Sequence, residues 1–218
     1  MLVDLVRSFG LRNYWVAVGD TMLAWVLGLT LAVILGATAG LFIGVSSFLR
    51  KMTHTTIEFL RPIPSVALIP LAVLLFGVRI ESSLLLIVYA CFWQVLIQVL
   101  YGVTDVDNVA MSTAKSYGFS RWQQVRNVVF PTVLPYLVTG IRLAASVALI
   151  LAITAELVIS APGLGREIAL AQTGAAVTHM YALILTTGLL GIAINATMRV
   201  VESHLLSWHP SVRGEITS

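Results

Sequence analysis

The amino-acid sequence predicts an all-α fold, a polytopic membrane bundle of about five transmembrane helices, and three observations carry that reading. The chain of 218 residues is 58% hydrophobic and 11% charged, whereas soluble domains carry about 25% charged residues. Its mean hydropathy is +0.95. Charge is also excluded from long windows: no Asp, Glu, Lys or Arg occurs in 21–49, 62–78, 82–104 or 168–198. A helix needs roughly 20 apolar residues to cross a bilayer. Three of these windows exceed that length and 62–78 is marginal. A fifth segment, 134–160, carries Arg142 and Glu156 near its ends around an uncharged middle. Lipid offers no partner to unpaired backbone groups, so the segments must be helical. A barrel would show alternating segments of about 10 residues, and these runs do not alternate.

Taken in order, residues 1–19 read as an interfacial segment, with Tyr14 and Trp15 as headgroup anchors. They do not resemble a cleavable signal peptide. Spans are expected at about 21–47, 63–79, 82–103, 134–159 and 178–200. Together they form a membrane domain over 20–203, with a connector at 104–133 and a tail at 204–218. Lys and Arg set the orientation, because they accumulate in cytoplasmic connectors. Arg50, Lys51, Arg61, Lys115, Arg121, Arg126, Arg142, Arg199 and Arg213 fall on one side, nine in all, against Arg7, Arg12, Arg79 and Arg166 on the other. The expected N-terminus is therefore outside, and the 104–133 connector and C-terminus are cytoplasmic.

The first span carries Gly28, Ala32, Gly36, Gly40 and Gly44, a small residue every fourth position. At 3.6 residues per turn these make a slowly drifting groove on one face. Small residues let backbones approach closely where no hydrophobic force draws helices together. Gly140, Ala144, Ala148 and Ala152 repeat the pattern on the fourth span. Helix packing is the expected role, within the subunit or across a dimer.

The 104–133 connector is the one long polar segment. Asp105, Asp107 and Asn108 are helix-capping residues, so a short helix is expected over Val109–Tyr117, stopped by Gly118. Ser120 with Gln123 is a capping-box pattern for a second helix reaching about Val129. Pro131 follows, and Pro135 is placed in the first turn of the fourth span. A connector so well punctuated reads as a basic, surface-facing docking element.

Here the sequence resembles a known family. Ser112, Thr113, Ala114, Lys115, Ser116, Tyr117 and Gly118, then nine residues, then Val128, Val129, Phe130 and Pro131, resemble the EAA loop of type I ABC importer permeases, the MetI-like fold. That loop reads Glu-Ala-Ala, three residues, Gly, nine residues, Ile-x-Leu-Pro. Ala114, Gly118 and Pro131 match in register; Val128 and Phe130 are apolar replacements; Ser112 and Thr113 depart from the leading Glu-Ala. Leu60-Arg61-Pro62-Ile63-Pro64-Ser65, Leu68-Ile69-Pro70-Leu71 and Phe76-Gly77 are similar to the nitrate, sulfonate and taurine subfamily. So are Gly140-Ile141-Arg142, Ala155-Glu156-Leu157 and Gly163-Leu164-Gly165, in the same order. The resemblance covers roughly 21–200 and lacks a span that members usually have before the first one here.

The resemblance implies a permease dimer working by alternating access in a bacterial cytoplasmic membrane. The second permease is a copy or a paralogue. An extracytoplasmic solute-binding protein would deliver a small anion, and separate ATPase subunits would bind ATP and Mg. The loop residues named above, with Arg121, would couple to those ATPases. No Gly-x-x-x-x-Gly-Lys-Ser/Thr string occurs, so this chain is not expected to bind ATP or to be an enzyme. His54, His179, His204 and His209 lack shared ligand spacing, which gives no metal expectation, and the net charge of +3 is spread over connectors rather than marking a nucleic-acid surface. Cys91 sits in an apolar run without a disulfide partner.

Candidate path or gate residues are Pro62, Pro64 and Pro70, with Pro70 expected to kink the second span. Gln94 and Gln98, one turn apart, and Asn195 are expected to face protein or a water-filled path. Glu156 is placed near the outer end of its span, either as a gating residue or as a shallow carboxylate bonding nearby backbone. Arg142 and Arg199 are expected to snorkel to lipid headgroups. The rival readings are an ion-gradient-driven transporter, which would show paired broken helices and intramembrane acids, and a membrane assembly subunit without transport.

Overall fold

The computed structural model describes residues 2–206. Met1, and Arg213 and His209 with the rest of the tail beyond Leu206, lie outside the described residues. Ten α-helices follow one another: α1 (Leu2–Ser8), α2 (Arg12–Val45), α3 (Ser47–Leu60), α4 (Ile69–Phe76), α5 (Ile80–Thr104), α6 (Asn108–Ser116), α7 (Arg121–Gln124), α8 (Phe130–Ile159), α9 (Leu164–Thr173) and α10 (Val177–Leu205). A 3-10 turn, Ser65–Leu68, precedes α4, and a π-helical segment, Val125–Val129, joins α7 to α8. Among the described residues, four continuous helices are long and apolar enough to cross a membrane: α2, α5, α10 and the run 121–159. The broken pair α3 and α4 supplies a fifth crossing if counted as one span.

Three expectations change here. The second span is not a helix over 63–79. Its regular part, α4, has 8 residues, about 12 Å at 1.5 Å per residue, far short of a bilayer core of roughly 30 Å. Pro62 and Pro64 lie in the break that separates it from α3, while Pro70 sits in the first turn of α4. A first-turn proline forgoes no intrahelical bond, so Pro70 starts a helix instead of kinking one. Ser82 then closes the far end of α4: its hydroxyl donates to the Ala72 carbonyl at 3.1 Å and the Gly77 carbonyl at 2.6 Å.

The second change is at the N-terminus. Arg12 to Gly19 continue directly into the first span as part of the 34-residue α2. Tyr14 is not a headgroup anchor. It is buried, and its hydroxyl donates to Thr186 Oγ1 at 3.1 Å. Trp15 is exposed and donates to the Phe9 carbonyl.

The third change concerns the end of the long connector. The second connector helix does not stop near Val129 but runs through Pro131 and Pro135 into α8. Proline inside a helix removes a donor and clashes with the preceding turn. The π segment just before Pro131 widens that turn: the Phe130 amide donates to Val125 O, five residues back.

The chain divides into two compact units, one of residues 1–32, 63–91 and 144–196, the other of 33–62, 92–143 and 197–218. In the first unit, α5 packs against α2 and α8. Gly28 lies against Ile87, and the Cys91 thiol donates to the Ala144 carbonyl at 3.3 Å. Ala32, Ala144, Ala148 and Ala152 are fully buried. Trp25 Nε1 donates to the Ala145 carbonyl at 2.8 Å.

In the second unit the same three helices meet with the same chemistry. A Cβ at Gly36 would fall 2.9 Å from the Phe92 carbonyl and 2.9 Å from Val95 Cβ; at Gly40 it would fall 2.8 Å from Val99, and at Gly44 2.9 Å from Val103. Gly140 on α8 faces Gln98 and Val95, while Gly102 on α5 faces Tyr136 and Val133. The small-residue stripes are therefore used inside the subunit, as seats for the ridge Ile87, Val95, Val99 and Val103.

These contacts rank the glycines. Gly36→Leu meets backbone atoms of α5 that cannot rotate away, and such overpacking costs about 1–3 kcal/mol or more. Gly188→Ala meets nothing within 4 Å. Thermal denaturation in detergent should show a lowered midpoint for Gly36→Leu and an unchanged one for Gly188→Ala. Equal midpoints would remove the close-approach argument.

Candidate functional site

Two groups of side chains stand out, one in each unit. In the first unit the site is a buried polar node built around Glu156 on α8. Glu156 is 0% exposed, and of the two roles expected from sequence it makes the bond to nearby backbone. Its Oε2 accepts from Thr21 Oγ1 of α2 at 2.8 Å and from the Gly165 amide of α9 at 2.9 Å. The Thr21 hydroxyl in turn accepts from the Leu164 amide at 2.9 Å. The amides of Leu164 and Gly165 open α9, where the first helical N–H groups lack intrahelical partners. Glu156 and Thr21 thus act together as a cap supplied from two other helices.

The node explains Gly163-Leu164-Gly165. Gly163 has φ 144, a conformation that side-chain-bearing residues rarely adopt. A Cβ there would run into the Glu156 carboxyl group, and one at Gly165 into the Ile153 carbonyl. Leu164 and Ile168 then turn inward against Tyr14, Ala17 and Leu183. Helix α9 and the partnership of Thr21 with Glu156 were not legible in the sequence, because residues 135 positions apart meet only in the fold.

In the second unit the site is the hairpin between α5 and α8. The Asp107 carboxylate accepts from the Val109 amide at 2.8 Å and caps α6. At its other end Gly118 has φ 75, and the Phe119 amide reaches back to the Ala114 carbonyl at 3.0 Å. That geometry needs a left-handed residue, which glycine supplies without strain. Ser120 and Gln123 form the reciprocal capping box: the Gln123 amide donates to Ser120 Oγ at 3.3 Å and the Ser120 amide to Gln123 Oε1 at 2.8 Å. Ala114 of α6 and Val129 of the π segment are buried, and the two elements are in contact. The Tyr136 hydroxyl donates to Asp105 at 2.8 Å and ties the start of the hairpin to α8.

What this rigid hairpin leaves outward is apolar and basic. Tyr117 is 79% and Trp122 71% exposed, beside exposed Val109. Ser112, Thr113, Lys115, Arg121, Phe130 and Pro131 are also exposed, and Val128 is half-buried.

The remaining candidates fall at separate places. Gln98 lines a cavity of about 640 Å³ together with Asp105, Tyr136 and Glu202. Gln94 and Asn195 are half-buried elsewhere on α5 and α10. Pro62 borders a second cavity, of about 600 Å³, lined by α3 and α5. Arg142 does not snorkel: its guanidinium pairs with Glu202 of α10 at 2.9 Å. Arg199 is exposed. Among the described residues no cluster of His, Cys, Asp and Glu is placed to hold a metal.

Among the described residues, long apolar helices, a broken pair and one capped hairpin with exposed aromatic side chains define a multi-pass membrane protein. The chain belongs to the binding-protein-dependent transport system inner membrane component family, whose model matches residues 17–207. It is thus an inner-membrane permease of the ABC importer class. It is 31% identical over 207 residues to the taurine transport system permease protein of Escherichia coli strain K12, covering 95% of this chain and 75% of that relative. A Bacillus subtilis strain 168 permease named for aliphatic sulfonates is 32% identical over 188 residues, covering 84% of this chain and 68% of its own. The nitrate import permease protein of a Synechocystis species is 24% identical over 177 residues, 81% of this chain and 64% of that relative.

In fold, the chain matches the MetNI methionine ABC transporter in an inward-facing conformation with a TM-score of 0.74 at 16% identity, over 88% of this chain and 96% of that one. It matches an amino acid ABC transporter with a TM-score of 0.72 at 17% identity, over 92% and 95%.

Thr21→Val would remove the hydroxyl that serves both Glu156 and the Leu164 amide. Leaving buried polar groups short of a partner costs about 1–3 kcal/mol. Amide hydrogen exchange across 164–173 should accelerate in this variant while exchange across α6 stays the same. Unchanged protection at Leu164 and Gly165 would mean that the node does not hold α9.

Proposed function

We propose that this chain is the membrane-spanning subunit of an importer powered by a separate ATPase, and that it carries a small anion. The hairpin 107–130 carries the reading. Its first helix is closed at both ends by Asp107 and Gly118, its second opens on the Ser120 and Gln123 capping box, and Gly118 and Pro131 stand at the spacing of the EAA loop. A segment this rigid can pass a displacement on; a loose loop would absorb it. Exposed Tyr117 and Trp122 are the residue types that anchor protein interfaces. Lys115, Arg121 and Arg126 add positive charge around them. Ser112 and Thr113, standing where Glu-Ala is usual, leave contact to shape, apolar anchors and these cations.

In this reading the N-terminus is outside, and the hairpin and C-terminus are cytoplasmic. The ATPase subunits bind ATP and Mg, and an extracytoplasmic binding protein delivers solute. A second permease copy or paralogue completes the path. Movement of the hairpin is transmitted through the continuous run 121–159, which has no break between α7 and α8. The break at Pro62 and Pro64 lets α3 and α4 move as separate pieces, as a gate requires. The anion class is supported by the names of the relatives, taurine, aliphatic sulfonates and nitrate.

Co-expression with the cognate ATPase tests the docking surface. Truncating a central aromatic anchor costs 2 kcal/mol or more, about 30-fold in affinity. Trp122→Ala with Tyr117→Ala should therefore abolish co-purification of the ATPase while the permease still folds in the membrane. Full recovery of a coupled ATPase by this variant would refute the docking assignment.

A further inference from the structure

Helix α8 continues the hairpin into the bundle, so the groups bonded to it decide which other helices follow the hairpin. In the unit of 33–62, 92–143 and 197–218, one face of α8 is seated on α5. Gly140 lies against Gln98 and Val95, and Tyr136 and Val133 lie against Gly102. The Tyr136 hydroxyl also donates to Asp105, so the two limbs of the hairpin are tied at their root. Arg142 stands two residues beyond Gly140, about 200° round the helix at 3.6 residues per turn. That places it on the face turned away from α5. There its guanidinium meets the Glu202 carboxylate of α10, Nη1 to Oε2 at 2.9 Å.

Apolar packing does little to join α8 to this end of α10. Between 197 and 205, α10 buries no side chain, and the next buried one is Leu206, just past the helix. A cavity of about 640 Å³ opens here instead, lined on α8 by Pro131, Pro135 and Tyr136 and on the other side by Glu202 and Leu206. Across open space a displacement passes only through a bond that pulls as well as pushes. An ion pair does both. The Glu202 side chain is 20% exposed, and a partly buried pair is screened by salt less than one at a wetted surface.

We propose that Arg142 and Glu202 are a positioning pair for transport, whose ion pair makes the inner end of α10 follow the hairpin. The proposal rests on the importer reading above and adds to it the bond that brings the last span into the movement. It also gives Arg142 and Glu202 one shared role: each supplies the charge that the other needs at the inner end of its helix.

The test uses the full permease with its cognate ATPase in nanodiscs and reads the distance between α5 and α10. Spin labels go on cysteines at the exposed positions Tyr101 and Val200, with buried Cys91 left in place. Dilution with unlabelled permease keeps the distance within one subunit. The parent should show one distance without nucleotide and a shifted one with ATP and vanadate. R142M/E202M keeps the side-chain bulk and leaves no lone charge, so the fold is retained. In this variant the shifted population should fall by about five-fold or more relative to the unshifted one, the lower end of what one coupling interaction carries. The ATPase should still co-purify and hydrolyse ATP. R142K keeps the charge, and the pair makes a single contact, so most of the shift should return.

A parent-like shift in R142M/E202M overturns the proposal. So does R142K behaving no better than R142M/E202M, or loss of the ATPase from R142M/E202M, which would make the pair a support for the hairpin alone. A parent complex that holds its ATPase but shows no shift overturns the proposal and leaves the importer reading standing. A parent that retains no ATPase overturns the importer reading, and the positioning pair falls with it.

Discussion

In lipid, apolar side chains gain little by leaving the surrounding hydrocarbon for one another, so helices are held together by close contact and by polar groups placed between them. The bundle depends on that constraint. Helix α5 serves as the common ridge, and the small residues of α2 and α8 are the seats cut for it. At Gly36 the approach is close enough that even a methyl group would meet the α5 backbone. Helices that touch this closely also bring carbonyls within reach of side-chain donors, as with Cys91 on Ala144 and Trp25 on Ala145. Each such bond is available only because no bulky side chain keeps the backbones apart.

The same constraint explains where irregular backbone is allowed. Unpaired carbonyls and amides in a membrane protein must find protein partners. The end of the short α4 finds Ser82, the start of α9 finds Thr21 and Glu156, and the π turn before Pro131 re-pairs the Phe130 amide one position further back. Three breaks in helical regularity thus carry three local repairs. Two of them sit where the importer reading needs articulation, beside the broken pair and at the root of the hairpin.

Much of this was legible in sequence. Charge-free windows marked the long helices, because the cost of burying a charge in lipid leaves no other composition. The period of four from Gly28 to Gly44 marked a packing face. Asp107, Gly118, Ser120 and Gln123 marked the hairpin, since caps and left-handed turns are short-range events written in consecutive residues. The failures were of two kinds. Pro70 was read as a kink because a proline in an apolar run looks the same at a helix start as inside one. Tyr14 and Arg142 look interfacial in sequence because sequence gives depth along a span but not the neighbour across it, and the same limit hides Thr21 from Glu156.

By itself the sequence determined that the chain spans a membrane, which segments are helical, that small residues would face other helices, and that 107–130 is a punctuated hairpin. Each of these follows from composition, a period or a local cap. Only the tertiary structure decided which residues meet: Glu156 with Thr21 and the start of α9, Tyr14 with Thr186, and Arg142 with Glu202. The physical reason is the same each time. A lone charge in a sequence has a cost but no address, and its partner is fixed by how closely the helices that carry the two groups can pack.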